Sequence, residues 1–229
     1  MIASLPKSKG ADHTGGLLTI TLLNTDYKVL AHIIANRLRP MMAELLQSSQ
    51  FYEVPGNTIF EAVATVREAI AHAELTRKPL RVLSLDFREH STESPNLLKG
   101  YGFSDWFIDR IKCMSENAIS SVQSNGHIAW PIPIQCSIRQ CCLMSRTLFV
   151  LCIDPLIRIL EQKLSGIRIG KRARRIVVVA YTGDVTIFVT ITMDPPVIQE
   201  TIACYERTGI RLNTKKSKAL TIKVQTRAL

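Results

Sequence analysis

The hydrophobic positions in the first third of the chain follow helical spacing in two segments. Residues 24–46 carry apolar side chains at intervals of three and four, with Pro40 inside the run. Proline cannot donate the helical hydrogen bond, so we expect Pro40 to kink or divide this helix. The second segment starts after a Pro-Gly turn, where Thr58 and Glu61 have the pattern of a capping box. The sequence therefore predicts helices on both sides of this turn.

Apolar runs typical of strands follow in three places. Residues 80–87, "LRVLSLDF", have the pattern of a buried strand that ends at Asp86 before a polar loop. Residues 177–189, "VVVAYTGDVTIFV", contain two β-branched runs joined by "YTGD". This pattern predicts a tight antiparallel hairpin in which Gly183 supplies the turn. Residues 219–224, "ALTIKV", are expected to form a closing strand.

Further helices and a short ribbon complete the predicted elements. Ser104 is placed to cap a helix, and residues 145–164 have the character of an apolar helix bent by Pro155. Asp194 begins a helix through the prolines that follow it, and Gly209 ends that helix. An Asn-Gly pair in "SSVQSNGHIAWPIPI" predicts a β-ribbon. Because helices and strands mix without regular βαβ alternation, the predicted fold class is α+β.

Charge and cysteine usage narrow the class of partner and the compartment. The 229 residues include 29 Lys and Arg against 19 Asp and Glu, a formal net charge of +10, which suits a polyanion such as RNA or DNA. The cysteines form no C-x-x-C pair and the histidines are scattered, so zinc-ligand spacing is missing. The chain opens without a basic-then-apolar leader, and its long apolar stretches carry charges. We therefore expect an intracellular protein that is not secreted and has no membrane span.

Two aspartates stand at places where strands end. Asp86 closes the predicted strand, and Asp184 lies at the tip of the predicted hairpin. If these strands pack side by side, both carboxylates reach one edge of a sheet. Mg²⁺ prefers carboxylates together with substrate phosphates as its ligands. Aspartates beside a glycine also act as turn residues that bond local backbone, and spacing alone favours that simpler role.

An ordered series of segments resembles the reverse transcriptase domain of non-LTR (LINE-type) retrotransposons. The segments "TITLLNTDYKVLAHIIANRLRP" and "VPGNTIF" are similar to the opening fingers segment and the turn after it, and "LSLDF" to the strand of the first catalytic aspartate. "IRQCCLMSRTLFVLCIDPL" resembles the R-Q-G loop and helix, "VVVAYTGDVTIFV" the Y-x-D-D hairpin, and "YERTGIRLNTKKSKAL" the segment with a lysine near the nucleotide. The resemblance implies fingers and palm over residues 19–229, with an antiparallel palm sheet packed on helices, after a poorly defined segment 1–18.

The resemblance also implies roles for particular residues. Asp86 and Asp184 would be the catalytic and metal-binding carboxylates of an RNA-directed DNA polymerase, with Mg²⁺ as its cofactor if the site is active. The residues implied to contact nucleotide or template are Arg139, Gln140, Tyr181 and Lys216. A basic run near the hairpin fits weak, sequence-tolerant contact with RNA and DNA about as well as it fits a solvated turn. This run comprises Lys171, Arg172, Arg174 and Arg175.

Departures from the family pattern fall on several separate parts of the implied active site. Gly183 replaces the first aspartate of the Y-x-D-D pair, so one metal ligand is missing. Cys141 replaces the glycine of the R-Q-G loop, where a side chain would intrude on a close backbone approach. Ser91 stands where an aromatic residue would screen the sugar, and Asn57 replaces the arginine of V-P-G-R. The segment after Asp86 is also shorter than in the family.

These departures, in a hydrophobic framework that stays readable, predict a catalytically inactive domain with a vestigial metal site. The chain is interpreted as a fragment of fingers and palm, without the thumb, endonuclease or zinc knuckle associated with the family. Two alternatives stay open. One is a functioning RNA-directed DNA polymerase with an unusual metal site, and the other is a domesticated nucleic-acid-binding protein without catalysis.

Overall fold

The computed structural model describes residues 1–6, 17–89, 94–124, 126–134, 142–170, 173–190 and 194–222. Within these ranges the helices are α1 (Thr25–Leu38), α2 (Met42–Leu45), α3 (Ile59–Leu75), α4 (Ser94–Gly100), α5 (Asp105–Ser115), α6 (Leu143–Lys163) and α7 (Asp194–Tyr205). The strands are β1 (Ile2–Pro6), β2 (Leu17–Thr21), β3 (Leu80–Glu89), β4 (Ile119–Ser120), β5 (Val122–Ser124), β6 (His127–Ile128), β7 (Ile132–Pro133), β8 (Ile167–Ile169), β9 (Arg174–Ile176), β10 (Val178–Tyr181), β11 (Asp184–Val189), β12 (Ile210–Leu212) and β13 (Lys218–Ile222). In the same ranges no helix is both long enough and apolar enough to cross a bilayer.

The first of two compact units comprises Met1–Leu38 and Ser91–Leu148. It contains a sheet of order β2-β1-β5-β6, in which β1 pairs antiparallel with β2 and parallel with β5. The chain turns from β5 into β6 at Gly126, whose φ of +81° suits a residue without Cβ. This turn is the ribbon predicted from the Asn-Gly pair, although Asn125 itself lies outside the described residues. Strand β1 forms within residues 1–18, for which the sequence predicted no element.

The second unit, Arg39–His90 and Phe149–Leu229, is built on a five-stranded sheet. Strand β3 lies in its middle, with β11 paired along one edge and both β12 and β13 along the other. Strand β10 completes the sheet beyond β11, and every one of these pairings is antiparallel. Small side chains of α3, such as Ala69 and Ala73, share a buried cluster with Val82 and Phe188 of the sheet. An antiparallel sheet packed on a helix, as predicted, therefore forms the core of this unit.

Several local predictions are confirmed at the level of single residues. Pro40 lies in a short 3-10 segment that separates α1 from α2. At the start of α3, Thr58 accepts a hydrogen bond from the Glu61 N–H, and the Glu61 side chain accepts one from Thr58 N–H at 2.7 Å. After α7, a 3-10 turn ends at Gly209, whose φ is +92°. The capping chemistry visible in the sequence therefore sets these boundaries.

Two sequence predictions about the strands are wrong in detail. Strand β3 does not end at Asp86 but continues to Glu89, because β12 pairs with residues 87–89 and satisfies their backbone groups. The left-handed residue of the "YTGD" turn is Thr182, with φ +56°, and not Gly183. Both differences depend on partners far away along the chain, which local sequence patterns do not record.

Candidate active site

Two carboxylates meet on neighbouring strands of the second unit. Asp184 begins β11 and is the register partner of Asp86 in β3. The Phe87 N–H donates to the Gly183 carbonyl at 2.9 Å and continues this pairing to the hairpin tip. Opposed residues on antiparallel strands have Cβ atoms about 4.5–5.5 Å apart and share one face of the sheet. The structure thus brings together the two aspartates that the sequence singled out.

The chain forms a bulge between β12 and β13, beside these aspartates. Strand β12 ends with Leu212 opposite Phe87, and β13 starts with Lys218 opposite Ser84. Six steps of the returning chain (218 − 212) therefore face three steps of β3 (87 − 84), which leaves a bulge of three extra residues within 213–217. Bulges of this kind re-aim side chains and interrupt strand pairing. Here the bulge faces the segment of β3 that contains the first aspartate.

Side chains of the bulge hold Asp86 in place. The Asn213 side-chain amide donates to Asp86 Oδ2, and the Asn213 backbone N–H donates to the Asp86 carbonyl at 2.8 Å. Ser217 Oγ accepts a hydrogen bond from Asp86 N–H at 3.3 Å and donates to the Asn213 carbonyl at 2.9 Å. Lys216 Nζ lies 4.0 Å from Asp86 Oδ2, and its side chain is 65% exposed. Solvent screens an ion pair as exposed as that of Lys216 and Asp86. The orientation of Asp86 is therefore set mainly by the side-chain amide of Asn213. The Lys216 ammonium group stays accessible to a second anion.

Burial and neighbouring charges act on the pKa of Asp184. Partial burial of the Asp184 carboxyl raises its pKa, and the nearby charge of Asp86 raises this pKa further. Lys216 acts in the opposite direction on the pKa of Asp184, but its effect is smaller. A raised pKa means that this site disfavours a second negative charge. A cation held between the carboxylates would relieve this repulsion.

A buried glutamine stabilises the tip of the hairpin. Gln50 is fully buried, and its side-chain oxygen accepts the N–H groups of Thr182 at 3.3 Å and Tyr52 at 3.2 Å. Its side-chain nitrogen lies 3.5 Å from the Thr182 carbonyl, at the limit of a hydrogen bond. The segment of Gln50 also bonds to β10, since Ala180 N–H donates to the Ser49 carbonyl at 2.8 Å. The left-handed conformation of Thr182 is therefore held by a partner from another part of the chain.

The loop that carries Gln50 is itself anchored to α6. Asp154, fully buried in α6, accepts the Gln47 N–H at 2.7 Å and the Arg158 Nε–H at 2.6 Å. Arg158 in turn donates to the Leu45 carbonyl at 2.6 Å. A buried carboxylate needs such partners to offset its lost hydration. A chain of contacts thus runs from α6 through this loop to the hairpin tip.

Gly183 lies where the neighbouring atoms leave little room for a side chain. A Cβ atom built at Gly183 would come within 2.8 Å of the Phe87 carbonyl oxygen and 2.9 Å of the Phe149 ring. Real Cβ contacts are essentially never this short, so the ring and the strand would both have to shift. The tip of the hairpin is therefore packed around glycine, and the first aspartate of a Y-x-D-D pair has no preformed space at this position.

The donor set on the neighbouring strands β3 and β11 suits one Mg²⁺ ion and not a fuller cluster. Asp86 and Asp184 provide two carboxylates, and Mg²⁺ is commonly bound by one or two carboxylates that substrate phosphates and water supplement. Among the described residues, no group of three or more His, Cys, Asp or Glu side chains could hold a metal ion. The aspartates therefore fit a single ion, and the ligand missing at Gly183 limits a second.

The other residues predicted for the site lie in different environments or outside the described residues. Tyr181 is half-buried and packs edge-on against Tyr52, with ring centroids 5.2 Å apart. Arg174 is exposed on β9, and Arg175 donates to the Glu161 carbonyl at 2.7 Å. The residues that lie outside the described part of the chain are Ser91, Arg139, Gln140, Cys141, Lys171 and Arg172. Their implied roles stay predictions.

Sequence reasoning missed three residues that shape the site: Gln50, Asn213 and Ser217. Each acts through a partner more than a hundred positions away along the chain, namely Thr182 for Gln50 and Asp86 for the other two. Asn213 and Ser217 flank the "TKK" of a segment already singled out for its lysine, so a turn rich in polar residues was the available signal. For Gln50 the sequence offers no comparable signal.

Comparison with known proteins agrees with this architecture. The profile of the family described as "Reverse transcriptase (RNA-dependent DNA polymerase)" matches residues 5–229. A Xenopus laevis protein, described as "Transposon TX1 uncharacterized 149 kDa protein", is 30% identical over 226 residues. That match covers 96% of this chain but 17% of the transposon protein, so the chain spans a small part of its relative's length.

Solved structures give the same fold. A telomerase from Candida tropicalis in complex with a TWJ fragment of telomeric RNA superposes with a TM-score of 0.63 at 9% identity, covering 98% of this chain and 41% of that one. An apo telomerase from the same organism, truncated from its C-terminal domain, gives 0.60 at 10% identity, with coverage of 93% and 49%. At such low identity these structures establish the fold alone. Together with the profile and the transposon relative, the motif series establishes that the chain belongs to the reverse transcriptase family, as the reverse transcriptase domain of a non-LTR retrotransposon.

Proposed function

We propose that this reverse transcriptase domain derives from an RNA-directed DNA polymerase and no longer catalyses nucleotidyl transfer. The observation that carries the proposal is the hairpin tip, which presents Asp184 to Asp86 while Gly183 contributes no ligand. Polymerases of the two-metal type clamp the attacking and the leaving oxygen between two ions about 3.5–4 Å apart. Two carboxylates, without a ligand from Gly183, give weak support to that arrangement.

The remaining residues suggest what the ancestral site did. Asp86 and Asp184 would hold Mg²⁺, which when bound supplies positive charge to phosphate oxygens. Asn213 would keep the Asp86 carboxylate in one orientation through its side-chain amide. Lys216, exposed and close to Asp86, would attract the phosphates of an incoming nucleotide. Tyr181, on the strand that pairs with Asp184, would contribute to the nucleotide side of the site.

RNA and DNA are the proposed partners of the domain. The net charge of +10 supports weak, salt-dependent attraction to a phosphate backbone. The telomerase neighbour whose structure includes an RNA fragment supports the same class of partner for this fold. Contacts from dispersed Lys and Arg side chains position a strand but read no bases. We therefore expect binding that tolerates many sequences.

Primer extension on an RNA template with a DNA primer tests the inactivity. The natural chain should extend no faster than Asp86→Ala, since loss of one ion-fixing ligand costs roughly a thousandfold or more in rate. Gly183→Asp should not restore extension, because its Cβ meets Phe87 and Phe149. Gly183→Asp combined with Cys141→Gly is the further comparison. Extension by the natural chain above the Asp86→Ala background would favour the alternative of a functioning polymerase with an unusual metal site.

Metal binding gives a readout that does not depend on activity. Millimolar Mg²⁺ should raise the thermal unfolding midpoint of the natural chain because it relieves the repulsion between Asp86 and Asp184. An Asp86→Asn, Asp184→Asn double variant should show no such rise. Glu68→Gln, which removes an exposed carboxylate from α3, is the control and should respond like the natural chain. An equal rise in all three proteins would disprove metal binding by the aspartates.

A further inference from the structure

A basic pocket lies beside the five-stranded sheet of the second unit, at the end opposite the aspartates. It encloses about 390 Å³ between the segment before β3, the turn after α6 and the residue that follows β11. Its lining includes the side chains of Lys78, Arg168 and Arg175, together with Ser165 and Thr190. All of these residues belong to the second unit. The pocket is large enough for a phosphate group with part of an attached sugar.

The charge of this pocket is unbalanced. The described residues that line it provide three cationic side chains and no carboxylate. In the described part of the chain, no salt bridge joins Lys78, Arg168 or Arg175 to an acidic residue. Like charges that converge without a counterion repel one another, and an anion placed among them is attracted by all three. The pocket therefore favours an anion.

One of the three cations is fixed in place by hydrogen bonds to backbone carbonyls, and all three residues are exposed. Arg175 donates to the carbonyls of Glu161 at 2.7 Å and Leu164 at 3.4 Å, which orients its guanidinium at the pocket wall. Lys78 and Arg168 are exposed residues of the same lining. A guanidinium presents paired N–H donors that match two oxygens of a phosphate. The arrangement thus combines a fixed wall with two adaptable cations.

The neutral part of the wall is polar and tightly built. Ser165 Oγ and Thr190 Oγ1 lie 3.2 Å apart, and Thr190 Oγ1 donates to the Gly166 carbonyl at 3.0 Å. Gly166 has φ +64°, and a Cβ there would come within 2.4 Å of the Ile176 carbonyl oxygen. Because Gly166 lets the turn after α6 approach β9 so closely, the pocket has a fixed floor. A fixed floor lowers the entropic cost of binding.

This pocket is separate from the polymerase site. Leu80, which opens β3, precedes Asp86 by six residues, a distance of about 20 Å at roughly 3.3 Å per residue. Strand β11 gives the same result, since Asp184 begins it and Thr190 follows its last residue. The groups that would bind an incoming nucleotide at the aspartates therefore do not reach the pocket.

We propose that this pocket binds a phosphate group, supplied either by the backbone of a nucleic-acid strand or by free phosphate. Recognition rests on the converging charges of Lys78, Arg168 and Arg175, and the polar wall accommodates the phosphate oxygens. The site requires no metal and no catalytic activity, so it stands whether or not the aspartates support polymerisation.

A double variant, Lys78→Gln with Arg168→Gln, tests the pocket without touching Arg175, whose backbone contacts support the fold. The matched control is Lys28→Gln with Arg67→Gln, which removes the same charge from exposed positions on α1 and α3. The unfolding midpoint in chloride checks that each variant is folded. Arg168→Lys keeps the charge and is expected to retain most of the binding, which gives a second, milder test.

Two probes separate the sources of phosphate, both used without Mg²⁺ and at constant ionic strength. Inorganic phosphate should bind the natural chain and the control equally and the pocket variant about tenfold more weakly or worse, because charged hydrogen bonds are lost. A labelled single-stranded oligonucleotide that loses affinity in the same pattern identifies nucleic acid as the source. An oligonucleotide affinity that is unchanged while phosphate binding falls identifies free phosphate. Equal phosphate binding by all three proteins would overturn the proposal.

Discussion

At the scale of single residues, the hairpin tip depends on a contact that compensates for strain. Thr182 adopts a left-handed conformation, φ +56°, that costs a residue with a Cβ about 1–2 kcal/mol. Gln50 offsets this cost because its buried amide bonds the Thr182 backbone. The position of Asp184, two residues further on, therefore depends on a glutamine that belongs to neither β3 nor β11.

Replacing Gln50 by alanine should destabilise the second unit. The change removes the oxygen that accepts the partly buried N–H groups of Thr182 and Tyr52, at a cost of about 2 kcal/mol. The free energy of unfolding, from denaturant titration, measures the effect. Gln47→Ala is the matched control, because only its backbone N–H bonds Asp154, and its stability should change by about 0.5 kcal/mol or less. Equal losses of stability in the two variants would contradict the role of the Gln50 side chain in holding the hairpin tip.

The protonation of Asp184 should make stability depend on pH. Its pKa is raised in the folded state, by burial first and by Asp86 second, so the folded protein binds a proton more tightly than the unfolded chain. Stability should therefore fall as pH rises from the ordinary aspartate value of 3.8 through the folded pKa. Asp184→Asn should remove this part of the decline, and unfolding midpoints between about pH 4 and pH 7 measure it. A decline of the same size in Asp184→Asn would show that other groups cause it.

The sequence predicted the pairing of the aspartates but not the residues that hold them. Asp86 and Asp184 follow apolar strand patterns, and such patterns survive because the core requires them. Gln50 and Asn213 are single polar residues whose partners are set by tertiary packing, so no local periodicity marks them. The conformation of Thr182 was missed for the same reason, since glycine was the better local candidate for a left-handed turn.

At the scale of elements, the bulge of residues 213–217 lets the chain from β12 to β13 both pair with β3 and bring polar side chains to Asp86. Its flanks, β12 and β13, pair with β3 and cover its edge. Between them the extra residues bring an amide, a hydroxyl and an ammonium group to Asp86. The sequence predicted the closing strand but not the shorter strand before it. Three residues of β12 are too few for a detectable pattern, and their pairing is what extends β3 to Glu89.

Two glycines at the hairpin of β8 and β9 allow the cost of close packing to be distinguished from the cost of backbone strain. Gly166→Ala places a Cβ within 2.4 Å of the Ile176 carbonyl oxygen at φ +64°, whereas Gly170 has φ +70° and no described atom within 4 Å of an added Cβ. Gly170→Ala should therefore lose about 1–2 kcal/mol from strain alone. Gly166→Ala should lose roughly 1–3 kcal/mol more through overpacking. Thermal and denaturant unfolding measure both, and equal losses would contradict a fixed pocket floor.

At the scale of the whole molecule, the framework matches the reverse transcriptase family, whereas the hairpin tip departs from the Y-x-D-D pattern. The core of the second unit is continuous, and the family profile covers nearly the whole chain. The net charge of the chain is +10. The hairpin tip, in contrast, is packed around Gly183, which leaves no room for the first aspartate of a Y-x-D-D pair. A hydrophobic core tolerates exchange between side chains of similar volume. A site for two metal ions, in contrast, depends on each of its carboxylates. We therefore propose that the domain has kept its fold and an attraction to polyanions without the geometry needed for nucleotidyl transfer.

Binding of RNA and DNA should follow from the charge and not from the aspartates. If about four phosphates are neutralised, affinity should fall roughly a hundredfold between 50 and 200 mM salt. Replacing Lys171, Arg172 and Arg174 by glutamine should reduce the slope of log K against log salt by about 0.9 for each phosphate that is no longer neutralised. Arg175 is left in place because it bonds the carbonyls of Glu161 and Leu164. Fluorescence anisotropy with duplexes of several sequences measures both effects. Asp86→Asn is the control and should leave the slope unchanged, because a carboxylate releases no counterions from the strand. Tight binding that survives high salt and prefers one sequence would instead indicate a domesticated protein that reads bases.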